Sequence, residues 1–260
     1  MQITTDYIKY KFELLKNEND LQKVRGQLPQ NIESLEQLIS DNKENKELRI
    51  YAAQAYYSYA FAFIEDKDIN SATELYLKAY QHAKKALGLH GITNLNLQGS
   101  SIELRQKLNS LKHDATDALY WTAISWAKLI QINQPNLQYL IHFYKPAILM
   151  KKVIKLDDSY HYYGSYLFFA VYYAELPFIL GGSDEASISY FNMARNLNDD
   201  RLLIIDVLQL KYLNSDMTEE TYTQKLQKII DTQDDKYSEH ALMNAVAKKK
   251  AIEMLKANRE

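Results

Sequence analysis

Ala53–Ala86, AQAYYSYAFAFIEDKDINSATELYLKAYQHAKKA, decides the fold. Tyr56, Tyr59, Ala60 and Phe63 recur at helical spacing, so they share one face of a helix. After the polar joint Glu65–Asp68, Ala72, Tyr76 and Ala79 repeat the spacing on a second helix. Small residues at such positions let two helices approach closely, and the large ones between them fill the groove. One such pair cannot bury its apolar face alone, so the pattern predicts neighbours built the same way.

Working outward, two fainter echoes appear. Trp121, Ile124 and Ser125 precede a segment holding Leu140, Tyr144 and Ala147. Ser187, Phe191 and Ala194 repeat the second-helix pattern after Gly181-Gly182. The spacing is that of the 34-residue tetratricopeptide unit, with longer joints than a strict array has. The reading is an all-α fold: a degenerate tetratricopeptide-like helical-repeat superhelix of about eleven helices. Such folds bind partners or ligands on a concave face. Residues 1–19 read as an N-terminal helical extension, and residues 20–260 as a single repeat domain.

Composition agrees. The chain has 7 Gly and 4 Pro in 260 residues, where average usage would give about 31 of the two together. So few breakers suit long helices and leave little for the turns of an all-β fold. With 31 basic and 33 acidic residues there is no excess charge to neutralise phosphates, which excludes a dedicated nucleic-acid binder. Absent cysteine removes disulfides, thiolate metal sites and cysteine nucleophiles. The first 19 residues carry Asp6, Lys9, Lys11, Glu13 and Lys16, an amphipathic helix rather than a signal peptide. Apolar stretches such as 56–64 and 167–174 are far shorter than a spanning helix needs.

Punctuation sets the expected boundaries. Thr4 or Thr5 caps the first helix; Asp20 caps a short segment to Gly26, and Pro29 opens the next helix. Gly88 and Gly91 end the helix from Ile69. Pro135 closes a turn, and Pro146 kinks or breaks a helix over 136–156. Residues 157–163 read as a turn. Ser183 or Asp184, Asp199/Asp200 and Thr218 start three later helices, and Lys248–Lys250 wraps the exposed side of the last.

Chemistry is sparse. Neither Gly88–Gly91 nor Gly181-Gly182 has the spacing or preceding strand of a phosphate loop, and HExxH and GxSxG do not occur. His113/Asp117, Glu239/His240 and Asp157-Asp158 read as helix boundaries, not metal sites. No cofactor is expected. The aromatic residues stand out instead. Tyr120, Trp121 and Trp126 share a helix, and Tyr160, Tyr162, Tyr163, Tyr166, Tyr172 and Tyr173 cluster later. Tyrosine joins a large apolar face to a polar tip, the combination that lines grooves and interfaces. Tyr120, Trp121, Tyr160, Tyr162, Tyr163 and Tyr166 are the candidate ligand- or partner-binding residues. On that reading Trp121→Ala lowers affinity more than stability, whereas equal loss would mark Trp121 as core.

The order of short motifs resembles one family. Leu28-Pro29, Leu35-Glu36 with Leu38, Ala52-Ala53 and Tyr59–Phe63 are similar to the N-terminal half of the TatT component of TRAP (tripartite ATP-independent periplasmic) transporters, as is Leu75–Ala79. Ala118–Ala123, Leu156–Tyr160, Leu176-Pro177, Leu180–Gly182, Tyr190-Phe191 with Ala194, and Asn244–Lys248 with Ala251 continue the resemblance over about residues 20–256. Ser183 stands where the family usually has Asn or an acid, Gly164-Ser165 where it has two glycines, and Ser187 at its small position. The family's lipoprotein signal and lipid-bearing cysteine are not in this sequence.

The resemblance implies a periplasmic protein, lipid-anchored and assembled as trimers, that partners an extracytoplasmic solute-binding protein. It also implies a pore passing a small, apolar ligand. The resulting reading is a non-enzymatic accessory scaffold, its membrane contact through a lipid anchor alone. The alternatives are a generic tetratricopeptide interaction scaffold and a stand-alone carrier of an apolar ligand. An enzyme ranks behind both, for want of a nucleophile, base and orienter in a recognisable spacing.

Overall fold

A computed structural model describes residues 2–93, 95, 99–133, 140–233 and 239–258. Among these residues there are twelve α-helices and no strand. They are α1 (Gln2–Lys16), α2 (Leu21–Asp41), α3 (Lys46–Tyr59), α4 (Ile69–Gly88), α5 (Ser101–Asn109), α6 (Thr116–Ile132), α7 (Tyr144–Leu156), α8 (Tyr160–Glu175), α9 (Asp184–Leu197), α10 (Ile204–Tyr212), α11 (Glu219–Ile230) and α12 (Ala241–Ala257). The chain forms two compact units, Arg25–His161 and Met1–Val24 with Tyr162–Glu260.

In the unit Arg25–His161, α3 packs on α4, α4 on α6, and α6 on α7. Most of the deciding stretch behaves as its spacing requires: Tyr56, Ala60, Phe63, Ala72, Tyr76 and Ala79 are buried, while Tyr59 is only half-buried. Ala72, Ala79, Ala83 and Ala86 give α4 a fully buried stripe of small side chains, which admits its neighbours closely. Asn45 caps α3, its side-chain oxygen accepting from the Leu48 amide at 3.0 Å. α3 runs into a π-helical turn, Ala60–Ile64, closed by the Glu65 amide donating to the Ala60 carbonyl. Asp68 caps α4 through the amides of Asn70 and Ser71. At its far end the Ile92 amide reaches the Leu87 carbonyl and the Gly91 amide the Gly88 carbonyl, with Gly91 at φ 89°. Those paired bonds need a left-handed residue, and glycine supplies it without steric cost.

Two expected boundaries are overturned here. Asp20 does cap α2 through the amides of Gln22 and Lys23. The helix then runs through Gly26 and Pro29 to Asp41 instead of stopping and restarting. An interior proline costs about 3 kcal/mol. Val24, Leu28, Ile32, Leu35 and Ile39 form one continuous buried stripe, and its burial offsets that cost. Pro146 marks the break that was one of its two expected effects: residue 140 is helical, residues 141–143 form a turn, and Pro146 lies in the first turn of the new helix α7, where its missing amide is not needed. Pro135 and part of the segment expected over 136–156 lie outside the described residues.

In the other unit α12 touches α1, α10 and α11, and α10 also touches α9 and α11. α1 starts at Gln2, so positions 4 and 5 lie inside the helix and not at its start. Ser183 and Thr218 cap α9 and α11 as read. Asp199 and Asp200 cap nothing: both have left-handed backbones, and α10 begins at Ile204. Asp tolerates that region better than most residues, which suits it to the turn. Ser187, fully buried, donates to the Ala170 carbonyl at 2.7 Å, so α8 and α9 meet at a small residue with a satisfied hydroxyl. The lysine run is also revised. Lys250 is buried, Lys248 donates to the Thr232 carbonyl, and Lys249 pairs with Glu253.

Asn244 on α12 is a buried clamp. Its carbonyl oxygen accepts from the Leu203 amide at 2.9 Å and its amide donates to the Arg201 carbonyl at 3.0 Å. Asn244→Leu should therefore cost about 2 kcal/mol, because two buried backbone groups lose partners. Urea denaturation checks it; a loss under about 0.5 kcal/mol would show that the loop finds other partners.

A second polar cluster predicts acid sensitivity. Tyr56 donates to Glu36 at 2.6 Å, and His82 Nε2 lies 3.1 Å from the same carboxylate oxygen. Burial lowers the His82 pKa against the opposing pull of Glu36, so the ring is neutral at pH 7 and Nε2 carries the proton. Its Nδ1 is buried with no hydrogen-bond partner among the described residues, so a second proton there would be unsatisfied. Burial also lowers His90, His142 and His240. A histidine with a depressed folded pKa contributes stability above its unfolded value, lost as pH falls. Melting temperature should drop as pH falls below about 6.5, and His82→Gln should flatten part of that slope. An unchanged slope would remove His82 from the account.

Candidate functional site

The aromatic residues singled out above separate into distinct groups. In the unit Arg25–His161, α6 carries Tyr120 and Trp121; Tyr57 on α3 packs against Trp121, and Tyr76 on α4 packs behind Tyr57. Trp121 Nε1 donates to the Tyr160 hydroxyl at 3.1 Å. Tyr120 meets Trp121 edge-on at 5.3 Å and Tyr160 at 5.2 Å. Tyr57 packs edge-on against Trp121 at 5.7 Å and Tyr76 at 5.1 Å. The His161 ring completes the cluster, 5.0 Å from Trp121 and 5.3 Å from Tyr120. Edge-to-face geometry at these distances is the favourable one for aromatic pairs.

Burial divides the group. Trp121 is 1% and Tyr120 2% exposed, while Tyr160 is partly open. That burial favours a large effect of Trp121 on stability, beside the effect on affinity expected from the sequence. Burial pushes the phenol pKa of Tyr120 and Tyr160 well above the ordinary value, so both remain neutral phenols at physiological pH.

Tyr162, Tyr163 and Tyr166 belong to the other unit. Tyr162 stands edge-on to His240 at 5.0 Å, and its carbonyl accepts from Asn198 at 3.0 Å. Tyr166 lies 6.4 Å from Tyr190, which also stacks on Tyr173 at 5.6 Å. Tyr163 is half-buried. His161, Tyr162 and Tyr163 have left-handed backbones at φ 49°, 58° and 56°, where a turn followed by a regular helix was expected. Such a conformation costs a residue with a Cβ roughly 1–2 kcal/mol. Sequence reading missed Tyr57 and His161. Tyr57 lies one residue off the repeat positions, and His161 is aimed by a backbone conformation that no local pattern announces.

A cavity of about 250 Å³ lies elsewhere in the first-described unit, lined by Ile92, Leu95, Leu104, Trp126 and the buried Lys145, with Glu103 and Lys107. Its tryptophan comes from α6; Tyr120 and Trp121, on the same helix, meet Tyr57, Tyr160 and His161 instead. Among the described residues no group of three or more His, Asp or Glu side chains is placed to hold a metal ion. Among them, too, no helix is long and apolar enough to cross a membrane.

These features define an all-α helical-repeat protein with a largely buried aromatic cluster in the unit Arg25–His161. The profile of one family, the TRAP transporter T-component, matches residues 17–260. The chain belongs to that family, and its role is accordingly an accessory one in TRAP transport. No curated protein matches it.

Proposed function

We propose that this protein is a non-enzymatic periplasmic scaffold that docks an extracytoplasmic solute-binding protein. The observation that carries the reading is the family match over nearly the whole chain. Supporting it, Tyr120, Trp121 and Tyr160 form a packed aromatic wall, apolar on its faces, with neutral phenols as donors. Tyr160 is its partly open member, so it is the contact residue of the three, and Tyr120 and Trp121 hold it in place. A small apolar ligand would be passed to the solute-binding protein past such aromatic surfaces; in the other unit, taken by itself, Tyr162, Tyr163 and Tyr166 are the candidate contacts. A lipid anchor and trimeric assembly would complete the arrangement.

The test is a crosslinked pull-down of the native protein from its own cells, read by mass spectrometry. Stoichiometric recovery of a solute-binding protein is expected. Recovery of cytosolic clients, or of this chain alone, would refute the docking role.

A further inference from the structure

The turn between α8 and α9 presents the two most exposed large apolar side chains described in this protein. Phe178 is 91% and Ile179 86% exposed. A single exposed apolar residue needs no account; two adjacent ones at the apex of a rigidly built turn do. Leu176 is buried and anchors the entry. Inside the turn the Leu180 amide donates to the Pro177 carbonyl at 2.8 Å, Gly181 to Phe178 at 3.0 Å and Gly182 to Pro177 at 3.1 Å. The Ser183 amide then closes back on the Tyr173 carbonyl at 3.0 Å, and its side chain caps α9. Gly181 is left-handed at φ 93°, and a Cβ on Gly182 would stand 1.7 Å from the Leu176 carbonyl oxygen. Both glycines are therefore required by this backbone, which is already ordered where Phe178 and Ile179 project into water. A preordered backbone leaves only side-chain rotamers to be ordered on binding, which is the property of an interface anchor.

Charge identifies the kind of surface that receives them. The sequence has no Lys or Arg between Lys155 and Arg195, but carries Asp157, Asp158, Glu175, Asp184 and Glu185 there. Asp184 and Glu185 follow the turn directly and are exposed. An acidic margin repels an anionic bilayer and attracts a basic rim.

We infer that the Pro177–Gly182 turn is a docking knob whose Phe178 and Ile179 enter an apolar pocket, rimmed by Lys or Arg, on the solute-binding component of the same transporter. The inference rests on the docking role proposed above and names the surface that performs it. The experiment measures binding of the purified full-length protein to the purified solute-binding component by isothermal titration. The wild type is expected to bind. Phe178→Ser with Ile179→Ser should weaken binding about tenfold or more with an unchanged melting temperature, since neither side chain is buried. Asp184→Lys should slow association, and added salt should narrow that difference.

The failures differ. If the wild type does not bind, the docking role falls and this inference with it. If the wild type binds and the double variant binds equally, the docking role stands and the knob is refuted. Two further measurements use the same variant. Wild-type binding to phosphatidylcholine–phosphatidylglycerol vesicles that the double substitution abolishes would assign the turn to a membrane and overturn the inference. So would self-association that the substitution abolishes, which would assign it to a second copy.

Discussion

Trp121→Ala should destabilise the protein by about 3–5 kcal/mol, the range for removing a large aromatic side chain from a packed core. The indole is 1% exposed and is touched by Tyr57, Tyr120 and His161 as well as by the Tyr160 hydroxyl. These rings come from different segments, so no single side-chain shift can refill the space. The cavity term should therefore add to the lost transfer energy. Tyr160→Phe isolates one component of that loss: it keeps the ring and removes the acceptor of the indole N–H, at a cost of about 1–3 kcal/mol. Denaturant unfolding of the two variants checks both. If Trp121→Ala lost less than about 1 kcal/mol, the cluster would have to be collapsible, and Trp121 would return to being a candidate binding residue.

Breaking the ion pair below the π turn should cost nearly as much. Glu65 Oε2 accepts from Lys128 Nζ at 2.9 Å and from the Tyr76 hydroxyl at 2.6 Å. Both side chains of the pair are largely buried. The ammonium also lies over the Phe61 and Tyr76 rings, at 5.6 and 5.7 Å. Burial, reinforced by the charge of Glu65, holds the Tyr76 pKa far above its ordinary value, so this phenol stays a donor. Lys128→Met leaves a buried carboxylate without its cation, and should cost about 3–5 kcal/mol. Adding Glu65→Leu to that variant removes the orphaned charge and should recover a large part of the loss, because a buried pair is worth little against apolar replacements. A double variant no more stable than Lys128→Met would show that the rings over Lys128, and not the charges, supply the stability.

Much of the fold was legible because helix pairing leaves a spacing in the sequence. Tyr56, Ala60 and Phe63, Ala72, Tyr76 and Ala79, and Ser187, Phe191 and Ala194 were all placed in the core by spacing alone, and all are buried. Local punctuation proved weaker than a long apolar stripe. Gly26 and Pro29 read as an end and a start, yet the stripe from Val24 to Ile39 carries α2 through both. The aromatic residues show the opposite limit. Density of tyrosine and tryptophan marked the right segments, but burial is a tertiary quantity. Nothing local separates Tyr120, at 2% exposure, from the half-buried Tyr163. Nothing in the sequence around Phe178 and Ile179 marks them; only their exposure sets them apart.

The left-handed run His161–Tyr163 bears on the order in which the chain folds. It occurs where the sequence passes from one compact unit to the other. Three successive left-handed residues with side chains are unfavourable in isolation by several kcal/mol, about 1–2 each, so this segment cannot nucleate. It becomes affordable only once the Trp121 cluster can receive His161 and once His240 and Asn198 can receive Tyr162. Its closure therefore belongs after the transition state, and substitutions in it should act on the unfolding rate and leave the folding rate nearly unchanged.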